Sequence, residues 1–546
     1  MEGETRKIGL ALSGGGFRAA FFHIGVLARL AELGILPKVE VISTVSGGSI
    51  VGALYYIRLK NLLEKYPDGG IEQQQYLDLV ADVERRLLAG VQENVRARVF
   101  TNAVKNLAML SPRYSRSDRI GDLYDRHFYK QAWGREPGSR SLGRDKQIEM
   151  RGLLIEPNGA SPFDPAKGNP TRRDKVPILL LNATSLNTGH NWRFEAVRMG
   201  EPLPEDPAHA AIVNEVDKNM RLEQAYFDPA PGQAGVPAEQ RNFPLGLAVA
   251  ASAAVPGVFQ PLAISGMYEG IRVQLVDGGV QDNQGVQGLF DRGCTHLIVS
   301  DASGQLDDKE KPAPQLLSVL KRSSGIGQSR IRGEQLIGAA GSCEYALMHL
   351  RKGLPEKTVR PGHSLAEASA EGANTAGSGA FGVAAPVQAA LSNIRTDLDF
   401  FSETEARSLE LDGYLMSAHE LAAREFDRLG DGDAAAAEPA RWEFGAMLEP
   451  IGSGDGGYVS RLEAGRKSFF RLLALRPVVG FGWGVAMAVV LALIAGAILW
   501  PTVCLLCGRP WWVAIPGGAL SVSIFVVVSL FVFSNLSLAK GKLYPR

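Results

Sequence analysis

Ser46 lies in the run Ile42-Ser43-Thr44-Val45-Ser46-Gly47-Gly48-Ser49, downstream of the cluster Ser13-Gly14-Gly15-Gly16-Phe17-Arg18. Acyl-transfer chemistry needs both parts: an exposed nucleophile, and backbone N–H groups for the oxyanion that its attack creates. A serine hydroxyl is a poor nucleophile unless it is held in a strained turn and given a base. Gly47 and Gly48 allow such a turn and a close approach by a substrate carbonyl, and the Gly47 N–H would face that carbonyl. The run departs from the G-x-S-x-G elbow, because Thr44 stands where its first glycine would be. Gly14, Gly15 and Gly16 can present successive N–H groups into a concavity, reinforced by the positive end of a following helix. The cluster lacks the Gly-Lys-Ser/Thr ending of a nucleotide-binding P-loop. Arg18, two residues into that helix, is placed to order the glycine loop or meet an anionic head group; the alternative is a plain surface arginine.

The base must come from elsewhere in the chain. Leu275-Val276-Asp277-Gly278-Gly279 puts an acid directly after an apolar strand and before a glycine turn, the end of an open parallel sheet where sites form. A Ser–His–Asp hydrolase would instead need an imidazole after the acid. His296, His349, His363 and His419 follow Asp277, but none has a glycine-rich setting. His296 reads as a structural residue of an apolar strand and His23 as a packed helix residue. His190 would line a pocket or cap a turn.

Taken in order, Ser13 to Arg18, Thr44 to Ser49 and Asp277 to Gly279 resemble the three motifs of the patatin-like phospholipases. Ala251 to Phe259 and Leu181 to Ser185 are similar to the family's intermediate segments, and the likeness covers roughly residues 6 to 305. The resemblance implies a Ser–Asp dyad hydrolase of lipid acyl esters in a three-layer α/β sandwich. Ser46 would be the nucleophile and Asp277 its base, with Gly14, Gly15 and Gly16 as oxyanion donors and Arg18 and Gly47 in support. No metal or cofactor is implied, and the chain has no HExxH or comparable ligand spacing. A transacylase on the same dyad, or a non-catalytic membrane scaffold that keeps the fold, are the rival readings.

Both glycine clusters follow short apolar runs, Ile8 to Leu12 and Val39 to Ile42, and precede helical patterns, which places them at strand-to-helix turns. Ala19, Phe22, Val26, Leu27 and Leu30 share one face of the first helix, ended by Gly34. Residues from about 60 to 174 read as a charged, largely helical insertion and a candidate lid. Lys175 to Thr184 is a buried-strand run with a partner beginning at Trp192. Thr295 to Asp301 is another strand, and Ser402 to Glu405 opens a helix with capping-box spacing. The alternation implies a largely parallel sheet covered on both faces.

The 546 residues carry 58 basic and 58 acidic side chains, so no global field attracts nucleic acid. Cys294, Cys343, Cys504 and Cys507 are too few and too scattered for a disulfide framework. Residues 478–500 and 511–533 are uncharged and apolar, each long enough to cross a bilayer, with Trp483, Trp500, Trp511 and Trp512 near their ends. Basic residues before the first and after the second predict a transmembrane hairpin with both ends in the cytoplasm. The expected organisation is a catalytic domain over 1–455, a basic juxtamembrane segment over 456–476 and the hairpin over 477–546. The expected partners are a membrane lipid substrate and the bilayer, with the catalytic domain on the cytoplasmic side of an integral membrane protein.

Overall fold

The computed structural model describes residues 6–95, 116–134, 147–304, 306, 308–355, 358–362, 381–432 and 438–466. The chain divides into two units, Met1–Val459 and Ser460–Arg546, and the sheet and candidate site lie in the first. The strands are β1 (Ile8–Leu12), β2 (Val39–Val45), β3 (Ile178–Ser185), β4 (Asn191–Phe194), β5 (Arg198–Gly200), β6 (Ala225–Tyr226), β7 (Leu262–Tyr268), β8 (Ile271–Asp277), β9 (His296–Asp301) and β10 (Glu344–His349). They form one sheet in the order β10-β9-β1-β2-β3-β4-β5-β6, with β8 also paired to β3 and β7 to β8.

Five strands, β10, β9, β1, β2 and β3, run parallel. The rest pair antiparallel. The sheet is therefore mixed rather than mostly parallel. The reason is the length of the connections: Leu186 to His190 between β3 and β4 is far too short for a crossover helix, so the chain must turn back on itself. A two-residue turn at Glu269-Gly270 does the same between β7 and β8.

Helix α1 (Gly16–Glu32) follows β1, α2 (Gly47–Lys65) follows β2, and α3 (Gln73–Gln92) packs on both. All seventeen residues of α1 are buried, not one face alone. Its second side is covered by the helix Glu403–Ala423, and the crossing is possible because Gly25 and Gly413 have no side chains. A Cβ on Gly25 would stand 1.8 Å from the Glu410 carbonyl oxygen, and one on Gly413 would stand 2.2 Å from that of Phe22. The Ser402 capping box forms as its spacing predicts, with Glu405 N–H donating to Ser402 Oγ and Ser402 N–H to Glu405. On the other face, Ala11, Val41, Leu180, Leu297 and Val299 pack with Val286, Leu289 and Ala339 from following helices, giving three layers.

The expected membrane hairpin is corrected here. Among the described residues no helix is long and apolar enough to cross a membrane. Leu316–Ser342 has the length, but carries Lys321, Arg322, Arg330, Arg332 and Glu334; Glu403–Ala423 is interrupted by six charges in the same way. Residues 478–500 and 511–533, on which that expectation rested, lie outside the described residues. An uninterrupted apolar helix is what a span requires, and neither the hairpin nor an integral membrane location has that support.

Candidate active site

The nucleophile turn is built by close backbone contact. Ser46 joins β2 to α2 at φ 51° and ψ −116°, a conformation L-residues rarely adopt and the kind of strain that functional turns store. A Cβ on Gly47 would stand 2.0 Å from the Gly16 carbonyl oxygen, and one on Gly48 would stand 2.2 Å from that of Leu12. Only glycine lets the two glycine turns touch in this way. Gly47→Ala is expected to lower stability by about 1–3 kcal/mol, read as a lower melting temperature, because backbone on the facing turn cannot move aside cheaply.

Thr44 fits where the elbow pattern has glycine because Gly52, in the second turn of α2, leaves space for its methyl group. A Cβ there would lie 2.6 Å from Thr44 Cγ2. The Thr44 hydroxyl donates to the Leu180 carbonyl at 3.0 Å. Ser252, on the helix Leu245–Ser252, accepts the Ser46 N–H at 3.0 Å and donates to the Asn182 carbonyl at 2.6 Å. That holds the strained peptide in place. The sequence placed Ser252 in a family-like segment without giving it this role.

Asp277 reaches Ser46 by a route local sequence does not reveal. β2 runs up the sheet and ends with Val45 opposite Asn182 of β3. β8 runs down the sheet, antiparallel to β3, and ends with Asp277 opposite Ala183, the very next residue. The two strands thus meet end to end along one edge of β3, which brings their terminal side chains together. The Ser46 hydroxyl lies near enough to the Asp277 carboxyl to favour its charged form. The same carboxyl accepts Gly279 N–H at 2.8 Å, and Asp277 N–H donates to the Ala254 carbonyl at 3.0 Å. Both side chains are almost wholly buried. Burial pushes the Asp277 carboxyl up to about 6, against the opposing pull of the Gly279 N–H and the Ser46 hydroxyl.

The three glycines are not equivalent. Gly14 N–H is already donated to the Asn283 carbonyl at 2.9 Å, so it is not available to an oxyanion in this structure. The N–H groups of Gly15, Gly16 and Gly47 take no partner among the described residues. Gly16 and Gly47 open their helices, where N–H groups have no intrahelical acceptor. Gly15 at φ 137° and Gly16 at φ 60° hold backbone that favours glycine.

Arg18 is neither a surface residue nor open to a head group. It is buried, with Nη2 donating to the Ala302 carbonyl at 2.8 Å and Nη1 to that of Ile394 at 2.7 Å. It fastens the glycine turn to the end of β9. Tyr124, which sequence reasoning missed, is buried with its hydroxyl unpartnered among the described residues. Its phenol is raised first by burial and then by the charge of Asp277.

The histidines are occupied elsewhere. His23 is packed, its Nε2 donating to the Ser13 carbonyl and Nδ1 accepting from Ser300, and burial lowers it to about 4. His190 lies between Glu201 and Asp217, at 2.8 and 2.5 Å. His296 sits in β9 against Thr295, His349 lies 3.9 Å from Asp301, and His419 bonds to Glu420. His363 lies outside the described residues. Among the described residues no group of acids, histidines and cysteines could hold a metal ion.

Comparison with solved structures finds human GIVD cytosolic phospholipase A2 bound to a methyl gamma-linolenyl fluorophosphonate inhibitor. The two share 13% identity, over 78% of this chain and 59% of that one, at a TM-score of 0.39. VipD from Legionella pneumophila is 14% identical over 97% of this chain and 92% of its own, at a TM-score of 0.24. At such scores neither likeness bears on this chain's activity, and the chain spans about three-fifths of the phospholipase A2 it matches. No curated protein matches. The family model for patatin-like phospholipase matches residues 10–290, just over half of the chain, and takes in Ser46, Asp277 and the triple glycine. By that match the chain belongs to the patatin-like phospholipase family.

Proposed function

We propose that this chain hydrolyses lipid acyl esters through a Ser46–Asp277 dyad. The observation that supports it most is the end-to-end meeting of β2 and β8, which brings Ser46 and Asp277 to the same edge of β3. Asp277 accepts the Ser46 proton as Oγ attacks the ester carbonyl. The N–H groups of Gly15, Gly16 and Gly47 are the donors best placed for the oxyanion, each worth about 3 kcal/mol in the transition state. Collapse of the tetrahedral intermediate transfers the acyl group to Ser46, and the leaving alkoxide takes the proton held by Asp277. Water, deprotonated by the same carboxylate, then attacks the acyl carbon; the fatty acid leaves as the proton passes from Asp277 back to Ser46 Oγ.

The test is a fluorophosphonate probe combined with hydrolysis of a short-chain monomeric ester. Wild type should be labelled at Ser46 and hydrolyse the ester, and Ser46→Ala should do neither. Labelling elsewhere, or undiminished hydrolysis by Ser46→Ala, would end the reading. Alanine at His190, His349 or His419 should leave hydrolysis within about tenfold of wild type, since none supplies the base. A loss of about 10²–10⁴, the size of a general base's contribution, at any one of them would restore a triad.

A further inference from the structure

Beyond Asp277 the chain folds back against the triple glycine. Gly278–Val280 is a single 3-10 turn, and the Asp282 N–H closes on the Gly278 carbonyl at 3.0 Å. The Asp282 carboxyl accepts the N–H groups of Gln284, Gly285 and Gln287 at 3.2, 2.9 and 2.9 Å. Asn283, between these fixed stretches, gives its own carbonyl to the Gly14 N–H at 2.9 Å. Its backbone is therefore held from both sides and pinned to the turn beside Ser46.

Two glycines leave room for the Asn283 side chain. A Cβ on Gly14 would stand 2.3 Å from Asn283 Oδ1 and 3.3 Å from Ser46 Cβ. A Cβ on Gly279 would stand 2.4 Å from the same Oδ1 and 3.0 Å from Asp277 Oδ1. The carboxamide thus fills the space between the two glycines and borders both members of the dyad. Ser46 and Asp277 are almost wholly buried, whereas Asn283 is half-buried, so it forms the more open edge of the group. Its side chain takes no hydrogen bond among the described residues. A carboxamide carries two N–H donors, and a fixed one left unused beside a nucleophile suits charge that appears only during reaction.

The same residue takes a donor away. Its carbonyl occupies the Gly14 N–H, the first amide of the glycine turn, while those of Gly15 and Gly16 stay unpartnered among the described residues. Seated against Gly14, the carboxamide lies on the side of Ser46 that those two amides serve. We infer that the Asn283 carboxamide donates from Nδ2 to the oxyanion formed at Ser46, in place of the Gly14 N–H. This rests on the acyl-ester reading above and adds a residue to it. A neutral donor bonds weakly to the ester carbonyl and strongly to the alkoxide that replaces it, so its effect falls on kcat. Being uncharged, it also leaves the basicity of Asp277 intact, which a cation there would lower.

The test measures hydrolysis of a short-chain monomeric ester and the rate at which a fluorophosphonate labels Ser46. Both reactions build negative charge on an oxygen beside Ser46. Asn283→Ala should lower kcat and the labelling rate by about 10²–10³, with KM within about threefold of wild type. Asn283→Leu keeps the size without the donors and should lose as much; it decides the matter if thermal denaturation shows the alanine variant unfolded. Either variant, folded and with kcat and labelling within about threefold of wild type, would overturn the inference. So would a raised KM at unchanged kcat, the mark of a wall that only shapes the pocket. If Ser46 is labelled and Asn283→Ala slows the labelling, but wild type cleaves no acyl ester, the donor stands and the hydrolase reading fails. If wild type cleaves the ester and both variants match it, the hydrolase reading stands and the donor fails.

Discussion

Asp277→Asn is expected to abolish hydrolysis and, above neutral pH, to make the protein more stable. Losing the base should cost roughly two to four orders of magnitude in kcat. The stability change follows from the raised pKa. A buried carboxyl near 6, against 3.8 in the unfolded chain, binds its proton more tightly when folded. Its contribution to stability is therefore complete below pH 4 and lost as pH rises through about 6. At pH 8 wild type holds an ionised carboxylate in a site that disfavours the charge, at a cost of about 2–3 kcal/mol. Asparagine removes that cost and keeps an oxygen for the Gly279 N–H. Melting temperatures should show the variant above wild type at pH 8 and close to it at pH 4. An equal gap at both values would mean that the carboxyl titrates in its ordinary range. The kcat/KM of wild type should fall below about pH 6, because a protonated Asp277 cannot take the Ser46 proton.

The site's reliance on contacts between remote segments decides which parts of it could be read from sequence. Ser46, Gly47 and Gly48 were legible because a sharp strand-to-helix turn needs those residue types in that order. Asp277 was legible as an acid at the end of an apolar strand, but its strand direction was not. Residues 271–277 look the same running up a sheet or down it, and the direction is set by the hairpin at Glu269-Gly270 and by pairing with β3. The inequality of Gly14, Gly15 and Gly16 was likewise hidden, since it depends on a carbonyl from Asn283, remote in sequence. Thr44 looked like a defect in the elbow until Gly52 supplied the missing room. Arg18 could not be placed by local pattern, because its acceptors are the Ala302 and Ile394 carbonyls. Apolar runs near the C-terminus suggested a hairpin from hydropathy alone, and they lie outside the described residues, among which no helix is long and apolar enough to span a membrane.

Ser46→Gly and Ser46→Ala should separate chemistry from strain at the nucleophile. Both remove the hydroxyl, so both should lower kcat by roughly four to six orders of magnitude, the scale of losing a serine nucleophile. Their stabilities should differ. Ser46 is held at φ 51° and ψ −116° by its N–H bond to Ser252 and by the contacts of Gly47 and Gly48 with the facing strand and turn. Alanine keeps a Cβ in that conformation and retains the strain. Glycine has no Cβ and adopts it freely, which should make Ser46→Gly more stable than Ser46→Ala by about 1–3 kcal/mol despite its more flexible unfolded chain. Chemical denaturation at one pH measures the difference directly. Glycine no more stable than alanine would show that the turn is relaxed, and that the placement of the hydroxyl is not sustained by the packing of the two glycine turns.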